Sequence, residues 1–131
     1  MAVTIMPFQY VRDDVGRWIR LTFTDPATLA DVVASVEQQL AEGAWSYGLL
    51  IDARSMSDAP QSSDIRAYVS RVGELVAVHG QRGPIAFVAR RPPVIGAAQK
   101  YAVLGQNTES LEVFWDIRDA REWLAEQMAA R

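Results

Sequence analysis

The chain has no cysteine and a single histidine, His79. That removes a disulfide framework, a thiolate nucleophile and any thiolate or His-rich metal site, so no metal is expected. Long apolar runs are missing as well. No stretch approaches the roughly twenty residues that cross a bilayer, and the opening MAVTIMPFQYVRDD lacks the basic-then-apolar order of a signal peptide. The expectation is a soluble, cytoplasmic protein without a membrane span. Positive charge is also short, with a formal net charge of -3 and a pI near 5.1. Nucleic acid, whose partners need a basic face to displace counterions, is discounted. No Gly-rich phosphate fingerprint is present, so neither a nucleotide nor another cofactor is expected.

What remains is globular: 131 residues, half of them hydrophobic and 22% charged. One domain over residues 1–131 is expected, with no linker, repeat or low-complexity tract. Met6 to Val11 and Arg17 to Phe23 read as strands, the second with Ile19, Leu21 and Phe23 alternating against Trp18, Arg20 and Thr22. Asp13, Asp14 and Gly16 supply a hairpin turn between them. DPATLADVVASVEQQLAEG predicts a helix capped by Asp25, with Pro26 in its first turn, Leu29, Val32, Val33, Val36 and Leu40 on one stripe, and Gly43 as its stop. Tyr47 to Asp52 is a nearly continuous apolar strand, the kind covered on both faces. A second helix carries Ile65, Tyr68, Val69, Val72, Leu75 and Val76 up to His79 and Gly80. Pro84 to Ala89 and Leu111 to Trp115 repeat the strand pattern. Pro93 to Leu104 repeats the helix pattern, and Asp116 caps a last helix burying Ile117, Ala120, Trp123, Leu124 and Met128. The order is ββαβαβαβα, an α/β domain whose later strands run parallel through right-handed crossovers and whose opening strand is antiparallel.

Candidate site residues gather where parallel strands end. IDARSMSDAPQSSDI runs from a strand through a serine-rich loop, placing Asp52 at the strand end and Ser62 and Ser63 at the head of the second helix. Asp52 serves either as a base or ligand partner or as an acceptor for loop N–H groups; the serines are read first as helix caps, then as ligand or partner contacts. Arg90 and Arg91 follow another strand, and with two helix amino ends they would suit a phosphate or carboxylate. The alternative is that both arginines are simply solvated or paired to surface acids. A Ser62–His79–Asp52 triad is rejected, because helical rise alone separates Ser62 from His79 by roughly 25 Å. Trp18 lies opposite Ile19 and Leu21, and if the helices cover mainly one face of the sheet, its face is open to a second copy of the chain as a homodimer.

WIRLTFTDPATLADVV, LLIDARSMSDAPQSSDI, VFWDIRDAREWL and RGPIAFVARRPPVIGAAQKYAVL together resemble the STAS domains of anti-sigma-factor antagonists and their SpoIIAA-like relatives, including STAS/SEC14 domain-containing bacterial proteins. The resemblance covers most of the chain and implies a SpoIIAA-like single domain. In the antagonists a motif like Asp-Ser-Ser-Gly-Leu carries a serine phosphorylated by a partner kinase. Its counterpart here is Gln61, Ser62, Ser63, Asp64 and Ile65, so the resemblance makes Ser62 the phosphoacceptor, while Gln61 and Asp64 replace the family's acid and glycine. The function expected first is a non-enzymatic binding or regulatory module for a protein partner or a small anionic or lipid-like ligand, the lipid resting on the STAS/SEC14 likeness alone. The alternatives are a phosphorylation-controlled anti-sigma-factor antagonist and an enzyme using Asp52 with Arg90 and Arg91.

Overall fold

The computed structural model describes residues 8–105 and 110–131. Strands β1 (Phe8–Asp13) and β2 (Trp18–Phe23) form an antiparallel hairpin that pairs Phe8 with Phe23 and Asp13 with Trp18. The Asp13 carboxylate closes the turn by accepting the Val15 and Gly16 N–H groups, both at 3.0 Å. The left-handed backbone falls on Arg17 (φ 58°), not on Gly16. Gly16 is required for another reason: a Cβ there would lie 2.6 Å from the Trp18 ring. Met6 and Pro7, assigned to the first strand by sequence, lie outside the described residues.

β3 (Gly48–Asp52), β4 (Ile85–Val88) and β5 (Leu111–Phe114) extend the sheet in parallel, in the order β1-β2-β3-β4-β5. Because each strand lies beside its predecessor and crossovers are right-handed, α1 (Leu29–Ala41), α2 (Ser62–His79) and α3 (Pro92–Leu104) fall on one face. Ile19, Leu21, Phe23, Leu49 and Ile85 point into the core below them. α4 (Ile117–Ala129) follows the last strand and returns on the opposite face, where Ala120 and Leu124 pack on Leu50, Ala86 and Val88. β3 is therefore sandwiched, which is why its sequence is apolar without alternation.

Two expectations are corrected. The sheet face carrying Trp18 is not left bare by the helices: Trp18 is half-buried in the α4 cluster with Trp123 and Phe114, and the Arg121 guanidinium stands over its ring at 5.8 Å. Gly48 permits this closure, since a Cβ there would meet Leu124 Cδ1 at 2.9 Å. The cap of α1 is Thr28, not Asp25; Thr28 Oγ1 accepts the Asp31 N–H at 3.3 Å, and Asp31 accepts the Thr28 N–H at 2.7 Å, a complete capping box. Asp116 caps α4 as expected, accepting the Arg118 N–H at 2.8 Å. Among the described residues no helix is long and apolar enough to cross a membrane.

Candidate functional site

At the carboxyl end of β3, Asp52 is buried and fully engaged. Arg54 donates to it through Nε and Nη2, each at 2.9 Å, and through its own N–H at 3.2 Å; Arg20 Nη2 adds a fourth contact at 3.3 Å. Burial alone would raise the Asp52 carboxyl, but the hydrogen bonds and charge of Arg54, followed by Arg20, outweigh it and hold the group below the ordinary carboxylate range. An acid so held fastens the strand end to its loop and is a poor proton acceptor. His79 is exposed at the close of α2, with its ring 6.1 Å from that of Trp45, ahead of β3 and at the opposite end of that strand from Asp52.

The serines do not cap. α2 begins at Ser62 itself, its N-cap is Gln61, and no side chain bonds to the free N–H groups of the first turn. Instead Ser62 Oγ accepts from Lys100 Nζ at 2.5 Å, and Ser63 is exposed. Lys100 lies nine positions beyond Arg91 along α3, about 13 Å by helical rise, so Ser62 stands beside the middle of α3 rather than its amino end. Arg91 is the exposed N-cap residue of α3, on the same side as Asp25, whose carboxyl feels its charge. Arg90 turns the other way: its Nε donates to the Trp115 carbonyl at 3.1 Å, and its guanidinium covers the Trp115 ring at 5.3 Å. Asp52 and Arg90 stand at the same carboxyl edge of the sheet, linked through the charges of Arg54 and Asp116, whereas Arg91 faces Asp25 and Ser62 is held by Lys100.

A different site emerges under the helices. The loop between β3 and α2 is tied back to the end of β2, because Ser57 donates to Asp25 through its N–H at 3.0 Å and its hydroxyl at 2.6 Å. These bonds hold the Asp25 carboxyl below its usual range. The tether brings Met56 and Pro60 over a partly open cavity of about 120 Å3 lined by Val32 of α1, Ile65 and Tyr68 of α2, Ala98 and Tyr101 of α3, and Ile51 and Phe87 of the sheet. Its walls are almost wholly carbon. A larger groove, about 410 Å3, runs between Trp18 and α4, with a more mixed wall that includes Arg121. The smaller cavity is the stronger candidate, because three helices, the sheet and a tethered loop all contribute to it and its walls are almost wholly carbon.

One end of this cavity carries polar groups that patterning does not reveal. Arg82, immediately before β4, is only 3% exposed. Its Nε donates to Gln39 Oε1 at 3.0 Å and its Nη1 to the Tyr68 hydroxyl at 3.3 Å, and its guanidinium lies 5.4 Å from the centre of the Trp45 ring. Gln39, itself fully buried, donates to the carbonyls of Ala44 and Trp45 at 2.9 and 3.3 Å. The one sequence signal was Gln39, a polar residue between Val36 and Leu40 on the apolar side of α1. Among the described residues, no group of three or more His, Asp or Glu side chains is placed to hold a metal ion. Comparison with family models, with curated proteins and with solved structures gave no match.

Proposed function

We propose that the protein is a binding module, not an enzyme, and that it takes a small apolar molecule into the cavity between α1, α2, α3 and the sheet. The observation that carries this reading is the cavity itself, with about 120 Å3 of space and carbon-rich walls in a domain of this size. An engineered apolar cavity of about 150 Å3 stays dry and binds benzene, which sets the scale of ligand that fits. The engagement of Asp52 by two arginines supports the non-enzymatic side of the proposal. The resemblance to STAS/SEC14 domain-containing proteins points the same way, toward a module that binds rather than transforms.

The test is a titration with benzene monitored by methyl resonances. Saturable shifts confined to Val32, Ile51, Ile65 and Val94 are expected, and Ala98→Leu, which fills the space, should abolish them. Ala97→Leu provides the same test from a second wall position if the first variant does not fold. Absence of a saturable response at millimolar benzene removes the proposal.

A second reading, phosphorylation at Ser62, is favoured by one contact. The Lys100 ammonium already reaches the Ser62 hydroxyl, and a phosphate there would gain both that charge and the amino end of α2. Intact mass of the protein from its native cells tests it, with an added phosphate mapped to Ser62 as the supporting result.

A further inference from the structure

We propose that the groove between Trp18 and α4 receives an amphipathic helix of a partner protein, whose apolar stripe fills the groove and whose acidic side chains meet Arg17, Arg121 and Arg131. This surface lies across the sheet from the carbon-lined cavity and is independent of it. α4 sits over β3 and β4, where Ala120 and Leu124 pack on Leu50, Ala86 and Val88. Helices pack about 8–10 Å apart and strands about 4.8 Å apart, so a second helix beside α4 would fall two strands along, over β2 and β1. Among the described residues no helix takes that place. β1 is exposed at each position on this side, Gln9, Val11 and Asp13, and Val11 is 61% exposed beside its partner Arg20.

The lining fixes what such a helix must carry. The groove's space of about 410 Å3 is bounded by Trp18, Leu124, Ala125 and Met128 together with Arg121. At Gly16 and Met128 it adjoins a second hollow of about 280 Å3, bounded by Arg17, Ser46 and Arg131. Among the described residues that line the two, none is acidic. The three guanidiniums are held by neutral groups: Arg121 over the Trp18 ring at 5.8 Å, Arg17 over the Tyr47 ring at 5.9 Å, and Arg131 through Nη1 to the Ser46 carbonyl at 3.1 Å. Asp13, the acid beside Gly16, already accepts the Val15 and Gly16 N–H groups. The groove is therefore a basic strip on a chain whose net charge is -3, and its electrostatic complement is an acidic partner. Apolar floor and arginine rim together match an amphipathic helix laid into a groove, and tryptophan and arginine are the side chains that most often carry the energy of such contacts.

The experiment titrates the protein with a helical peptide of about fifteen residues, with leucine on one stripe, glutamate beside it and alanine elsewhere, and with the same peptide carrying lysine for glutamate, read by methyl resonances. Saturable shifts at Val11, Leu124, Ala125 and Met128 are expected with the glutamate peptide, and the lysine peptide should bind about tenfold more weakly, the worth of a few exposed ion pairs. Arg121→Glu, at an exposed position, should erase that preference. Ala125→Trp, which fills the groove from another exposed position, should abolish binding, so either variant carries the test if the other fails to fold. Equal binding of the two peptides, shifts away from this face, or no response at millimolar peptide would overturn the proposal. Self-association in sedimentation that Ala125→Trp removes would also overturn it, since the occupant of the groove would then be a second copy of the chain.

Discussion

Arg54 grips Asp52 through both the edge of its guanidinium and its own backbone N–H, two residues further along the chain. Removing the side chain by Arg54→Ala leaves a buried carboxylate with only the residue-54 backbone N–H and the longer contact to Arg20, and the expected cost is about 1–3 kcal/mol at pH 7, read from urea unfolding.

The same pair fixes a pH dependence. The folded pKa of Asp52 is depressed, so its contribution is fully present above the ordinary carboxylate pKa and is lost as pH falls through the lower, folded value. The stability gap between wild type and Asp52→Asn should therefore narrow as pH falls below about 4, where the unfolded carboxyl begins to protonate. A gap that is constant from pH 7 to pH 3 would contradict the pairing.

Capping makes a contrast between residues that look alike in sequence. Thr28→Ala breaks the capping box of α1 and should cost about 1 kcal/mol. Ser63→Ala, on an exposed side chain without a capping bond, should stay within about 0.5 kcal/mol of wild type. Thermal melts of the two variants side by side distinguish them.

Gly83 is placed where no side chain fits. A Cβ there would stand 2.0 Å from the Tyr47 carbonyl oxygen, and the Gly83 N–H donates to the Trp45 carbonyl at 3.2 Å, so the backbones cannot separate without losing that bond. Gly83→Ala should cost about 3 kcal/mol or more, at the upper end of overpacking effects, and should be visible as a low melting temperature or loss of soluble protein.

Leu124 is the pin of α4. It is 3% exposed and packs with Leu50 and Val88, so Leu124→Ala should cost about 2–5 kcal/mol. Loss of the tilted Trp123–Phe114 ring contact, 5.7 Å between centroids, should accompany it as a change in near-ultraviolet circular dichroism.

The element order was legible in the sequence because period and punctuation are local. The Ile19, Leu21, Phe23 alternation and the Ile117, Ala120, Leu124 spacing each report one face of one element. Most boundaries moved by a residue or two, as helix and strand ends do, and the start of α1 by three, from a cap at Asp25 to one at Thr28. The errors arose where a distant partner decides the outcome. Asp25 looks like a cap until Ser57, from the next loop, takes its carboxylate; Ser62 looks like a cap until Lys100 reaches it. Trp18 looks exposed until a helix a hundred residues later covers it. Arg82 was overlooked because a charged side chain is ordinarily on the surface, and its burial depends on Gln39, Tyr68 and Trp45 arriving from three other segments. A cavity has no sequence signature, being the space several elements fail to fill.

Strand order that follows chain order has a consequence for assembly. Each strand pairs with its predecessor, so contacts form between nearby segments and the sheet can grow by successive additions from the hairpin onward. The cavity does not grow in this way. Its wall reaches from Phe23 to Leu111, so it is complete only after the fifth strand has docked. A molecule bound there would be absent from every earlier partial form and would draw the population toward the finished sheet by mass action, so occupancy would report that the chain has completed folding.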